Sequence, residues 1–256
     1  MMSKWNSLTV SALTLTLLYS TTSQADALSA KQKADVNQII QLFKTPDSKR
    51  IAQHIQYPLP REYPLTDVQN AVELQTRFKQ IFDAKLIKTI AQSQPSQWSS
   101  VGWRGVMLED GIVWLQDNQI SAVNHLSDTE KNLKQQLIQQ QKTKLHPSLR
   151  NFTQPIMTFQ TTQYLVRIDE LASGKYRYSS WKKAHAQSTR PDLVLNNGEV
   201  TFEGTGGNHV YHFKSGVYTY SVDRNLMGAT ESSEVNLNVT KHHKTLINQS
   251  GHILND

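Results

Sequence analysis

The chain has 256 residues, no cysteine and a formal net charge of +6. Without cysteine there are no disulfides, thiolate metal ligands or cysteine nucleophiles, so folding has to rest on burial, for which this length suffices as one large or two ordinary domains. The basic excess is spread along the chain, not gathered in the patch or stripe of a nucleic-acid reader, so no nucleic-acid partner is expected.

Met1-Met2-Ser3-Lys4 and the apolar run Leu8 to Tyr19 precede Ser23-Gln24-Ala25, small at both positions that matter for a cut before Asp26. This is the grammar of a cleavable signal peptide over residues 1–25, and the expected location is periplasmic or secreted. The apolar run is too short for a bilayer anchor, which takes roughly 20 residues. No later run is longer, so no membrane span is expected.

Residues 26–126 read as an α+β domain. Val36, Ile39, Ile40 and Phe43 recur on one helical face between Asp26 and Phe43. A short helix follows over Asp47 to Gln56, with Asp47 or Ser48 as its cap. Tyr57-Pro58-Leu59-Pro60 forces extended backbone. One long helix is predicted from Thr66-Asp67 to about Gln92, on the stripe Leu74, Phe78, Ile81, Phe82, Leu86 and Ile90. Strands over Trp103 to Leu108 and Ile112 to Leu115 join through Glu109-Asp110-Gly111, with Gln119 to Asn124 as a third. Helices followed by a meander predict helices packed on an antiparallel sheet.

Residues 127–150 read as a connector. Ser127-Asp128-Thr129-Glu130 has capping-box spacing, and the helix behind it is polar, with Leu133, Leu137 and Ile138 as its few apolar anchors. Residues 151–256 read as an antiparallel β domain, a sandwich or small barrel. Strands are predicted at Gln163 to Leu171, Lys175 to Trp181, Asp192 to Leu195, Glu199 to Glu203, His209 to Phe213, Val217 to Val222 and Glu234 to Thr240. Asn196-Asn197-Gly198 is read as the turn of a hairpin.

Gly204-Thr205-Gly206-Gly207 imitates a phosphate loop, but a strand follows where that chemistry needs a helix. A glycine turn is the better reading. His209 and His212 stand three apart on a strand and face opposite ways, and no other histidines have ligand spacing, so no metal and no cofactor are expected. Neither a Gly-x-Ser-x-Gly elbow nor another catalytic constellation is present. The best acid–base candidate is Asp83, behind Phe82, with His54 or Tyr57 as a partner in an N-terminal cavity. For binding, Tyr176, Tyr178 and Trp181 lie among basic residues including Lys182, Lys183 and Arg190. Aromatic and arginine side chains are common anchors of recognition surfaces.

The stretch from Val36 to Asn124, with Tyr57-Pro58-Leu59 linking its helices and Gly105 to Trp114 opening its sheet, resembles the NTF2-like superfamily. Exported bacterial proteins often carry such a domain, and it implies a cone-shaped cavity but no particular activity. Ser173-Gly174-Lys175-Tyr176 is similar to the Ser-Gly-x-x-Tyr loop of periplasmic lysozyme inhibitors of the small β-barrel type, with Arg177 where the loop's tyrosine would stand. The leading expectation is a non-catalytic binding or envelope-associated protein, its partner an envelope protein or glycan. The alternatives are a lysozyme inhibitor, and a hydrolase or isomerase with a site in the N-terminal cavity.

Overall fold

The computed structural model describes residues 27–204, 207–226 and 233–254. The expected signal peptide and the middle of the Gly204–Gly207 turn lie outside the described residues. Helix α1 (Ala30–Lys44) is opened by Ser29 and Gln32 in a reciprocal capping box. Helix α2 (Ser48–Ala52) is capped by Asp47, as its sequence suggests.

The long helix predicted from Thr66 to Gln92 is two helices, α3 (Ala71–Ile81) and α4 (Ala84–Gln92). Asp83 is the reason for the break. Its backbone is extended and its carboxylate accepts the Leu86 N–H at 2.7 Å, an N-cap that competes with a continuing helix. The start moves as well, because Asn70 caps α3 while Asp67 accepts the Arg61 N–H. The sheet is a four-stranded meander of β1 (Trp98–Ser100), β2 (Val106–Leu108), β3 (Val113–Gln116) and β4 (Gln119–Val123). Trp103 and Arg104, expected to begin a strand, belong to the 3₁₀ turn Gly102–Arg104. It leads into Gly105 at φ 92°, where a Cβ would stand 2.1 Å from the Leu115 carbonyl oxygen. Val36, Ile39, Phe43, Leu74, Phe82, Leu86, Leu108 and Leu115 fill the space between helices and sheet. Each such burial contributes about 1.5–3 kcal/mol.

Helix α5 (Asp128–Lys144) begins at Ser127, which accepts the Glu130 N–H. The expected apolar anchors are only partly right: Leu133 and Leu137 are half-buried, and the buried residues are Glu130, Lys134 and Ile138. These recur every four residues and form one face. That face meets charged side chains, with Glu130 against Arg61 and Lys134 against Glu62.

The C-terminal half is a barrel, not a sandwich. Its strands are β5 (Gln154–Thr161), β6 (Tyr164–Glu170), β7 (Tyr176–Lys182), β8 (Leu193–Glu203), β9 (Asn208–Ser215), β10 (Tyr218–Arg224), β11 (Val235–Lys241) and β12 (Lys244–Ile253). Each pairs antiparallel with the next, and β12 closes on β5 through Ile253 and Phe159, which removes both edges. The hairpin expected at Asn196–Gly198 is the middle of β8. Asn197 takes φ 63° and the register with β7 shifts there, so the extra residue makes a bulge where a turn was expected. Phe159, Val166, Ile168, Tyr178, Phe213 and Val222 fill the interior. Residues of the opposite parity on β6 and β7, among them Leu165 and Trp181, pack outside with Ile138, Leu145, Leu149 and Phe152. No helix among the described residues is long and apolar enough to cross a membrane.

Candidate binding site at one end of the barrel

Period-two alternation along β9 turns His209, Tyr211 and Phe213 to one face. Phe202 of β8 stands in register with His209. The outcome is a row of four rings. Tyr176 lies 4.9 Å from Tyr211, Tyr211 lies 5.2 Å from His209, and His209 lies 5.5 Å from Phe202, centroid to centroid. The first two contacts are edge-to-face, the geometry favoured by ring quadrupoles. The row starts half-buried at Tyr176 and ends at Phe202, which is 71% exposed.

Charged groups flank the row. Glu170 pairs in register with Tyr176, and Arg224 with His209. Burial and then the Glu170 charge raise the Tyr176 phenol above its ordinary value. Burial raises Tyr211 further, with Tyr176 and Glu170 adding to it and Arg224 opposing it. Both phenols therefore stay neutral hydrogen-bonding groups at ordinary pH. The His209 Nδ1–H donates to the Gly207 carbonyl at 2.7 Å, and in the neutral ring Nε2 is then an acceptor. Arg224 is held by the Glu234 carbonyl at 2.9 Å.

Arg224 also lines a cleft of about 410 Å³ between this end of the barrel and the segment from Arg61 to Glu73. Ile156, Met157 and Ile253 supply its barrel side, and Tyr63, Leu65 and Asp67 are on the other. Its lining is mixed, with the charged Arg61, Asp67, Glu73 and Arg224 beside the apolar Leu65, Ile156, Met157 and Ile253, and a concave site of this size suits a small ligand or a segment of a larger one.

The residues singled out from sequence scatter. Tyr176 joins the row, while Tyr178 is buried in the barrel interior, 5.6 Å from Phe213. Trp181 faces outward under α5, is wholly buried, and donates from Nε1 to the Thr189 carbonyl. Lys182, Lys183 and Arg190 are exposed around the segment that follows β7. Arg177 is buried and donates to the Leu149 and Asn151 carbonyls and to Asp169. Phe202, His209, Tyr211 and Arg224 were not singled out as site residues, although the alternation of β9 marks Tyr211 as sharing a face with Phe213.

In the N-terminal domain each candidate is engaged with a different neighbour. The His54 Nδ1–H donates to the Arg50 carbonyl. The Tyr57 hydroxyl donates to the Ala52 carbonyl, and burial pushes this phenol up to about 12. Asp83 caps α4 and pairs with His125 Nε2 at 2.9 Å. His212 sits between Thr201 and Ser221, apart from the ring row that holds His209. Among the described residues no three metal-ligating side chains gather. No family model, curated protein or solved structure matches this chain.

Proposed function

We propose that this is an exported, non-catalytic binding protein of the cell envelope that takes its ligand at the ring row and the adjoining cleft. One observation carries the reading: four rings in edge-on or tilted contact run from the barrel wall to an exposed Phe202, next to a cleft that both halves of the chain line. Flat, rigid aromatic faces bind at low entropic cost, and Arg224 and the Nε2 of His209 supply polar contacts at the same place. A glycan or a peptide segment of an envelope component fits this mixture. Asp83, the N-terminal carboxylate that most suggests chemistry, is a helix cap that also meets His125 Nε2.

The test is retention of envelope fractions and glycan arrays on the purified chain from Asp26 onward. Capture of a defined component by the wild type, and its loss in Phe202→Ala, is the expected result. No retained component, or equal retention by the variant, overturns the assignment. Export is tested separately: the chain recovered from the periplasmic or secreted fraction should begin at Asp26.

A second reading, lysozyme inhibition, draws on the closed small barrel and on Ser173-Gly174, which form an exposed tight turn with Gly174 at φ 72°. Lysis of a cell-wall suspension by several lysozymes decides it; unchanged lysis ends the idea.

A further inference from the structure

A second cleft lies on the other side of Pro64, between α5 and the outer face of the barrel. It measures about 310 Å³, and Arg167 of β6 is at its base. Arg167 is 1% exposed. Its Nε–H donates to Asp169 at 2.8 Å, and Arg177, also buried, donates to the other oxygen of the same carboxylate at 2.7 Å. Two buried cations therefore share one buried anion. The Phe152 ring lies 5.0 Å from the Arg167 guanidinium and 6.0 Å from that of Arg177, and Lys142 approaches the same ring at 4.7 Å. The cluster carries an excess positive charge in a place where charge is poorly solvated.

Among the described residues, the edge of Arg167 that faces the cleft meets neutral acceptors. Gln141 Oε1 takes one N–H at 3.0 Å, and Gln187 Oε1 is at 3.5 Å, the limit of a hydrogen bond. An amide oxygen is a weaker partner for a guanidinium than a carboxylate, which adds charge and can accept two N–H bonds at once. Lys144, exposed, stands at the same cleft, and Pro64 and Leu137 give it apolar walls.

We infer that this cleft binds a small organic carboxylate. Its carboxylate replaces Gln187 on the outward edge of Arg167, Lys144 adds a second cation, and its apolar part lies against Pro64 and Leu137. This site is distinct from the ring row, so the two proposals stand or fall separately.

Thermal melting of the chain at constant ionic strength tests it, with hexanoate as probe and inorganic phosphate and chloride as controls. Hexanoate at a hundredfold excess over its Kd should raise Tm by about 5 °C. Gln187→Glu, which supplies a carboxylate in place, should abolish that response, and Lys144→Gln should weaken binding about tenfold. Gln187 is half-buried at the rim of the cluster and Lys144 is exposed, so the variants should fold. No shift with hexanoate up to about 10 mM overturns the site. A wild-type response in Gln187→Glu also overturns it, because binding would then lie elsewhere. A phosphate shift equal to that of hexanoate overturns the carboxylate assignment.

Discussion

Arg61 and Glu130, 69 positions apart in sequence, meet as a buried bidentate ion pair, with the Arg61 Nε–H donating to Glu130 Oε1 at 2.9 Å. Both side chains are almost completely removed from solvent. The same guanidinium also donates to the carbonyls of Val123 and His125. One side chain thus ties the segment before α3 to the end of β4 and to the start of α5. Removing one partner leaves the other buried and unpaired, so Arg61→Ala or Glu130→Ala should each destabilise the chain by about 3–5 kcal/mol. Arg61→Met combined with Glu130→Leu should cost less than either single change. Urea unfolding of the three variants checks this, and a double variant less stable than both single ones would show that the pair is not coupled.

Asp83 gives a pH prediction with a definite sign. Burial raises its carboxyl, but the Leu86 N–H and His125 outweigh burial and hold it below its ordinary 3.8. A depressed folded value means its contribution is fully present above about pH 3.8 and is lost as pH falls through the lowered value. Asp83→Asn keeps a capping side chain and should flatten that part of the stability curve. Asp83→Ala should cost about 1 kcal/mol near neutrality through the lost cap. In His125→Ala, NMR titration should find the Asp83 carboxyl moved up toward its ordinary value; no movement would remove His125 as a cause.

The two halves were legible in sequence to different depths. Period-two alternation found most of the β strands, and helical periodicity found α1 and the apolar stripe now divided between α3 and α4. What periodicity could not show were side-chain decisions made against the backbone. Asp83 stops a helix whose apolar stripe runs on through Leu86 and Ile90, and Asn197 turns a predicted hairpin into a bulge. The polar helix α5 misled for a related reason. A buried face made of Glu130 and Lys134 is invisible to a hydrophobic pattern when its partners, Arg61 and Glu62, lie far away in sequence. The site suffered similarly, because Tyr176, Tyr178 and Trp181 are neighbours in the chain but separate to interior and exterior in a strand. The row that does form depends on the pairing of β8, β9 and β7.

Gly198 tests the bulge. It sits where a Cβ would lie 2.1 Å from the Phe213 ring, and Phe213 is buried in the barrel core. Gly198→Ala must push that ring against Tyr178, 5.6 Å away between centroids. Overpacking of this kind costs about 1–3 kcal/mol. A midpoint shift in chemical unfolding checks it, and Phe213→Leu in the same chain should recover part of the loss by making room. No recovery would place the cost in the backbone instead of the ring contact.

Trp181 and Phe202 separate aromatic residues that hold the fold from those that face outward. Trp181 is wholly buried beneath α5 with its indole N–H bonded to Thr189, whereas Phe202 is 71% exposed at the end of the ring row. Trp181→Ala should cost about 3–5 kcal/mol through the lost contacts and the cavity left behind. Phe202→Ala should change stability by no more than about 0.5 kcal/mol while removing the outermost ring from the proposed binding surface. Parallel urea titrations measure both. If Phe202→Ala destabilised the chain as much as Trp181→Ala, the ring row would be part of the packing of the fold. Its loss of ligand could then no longer be read as loss of a contact.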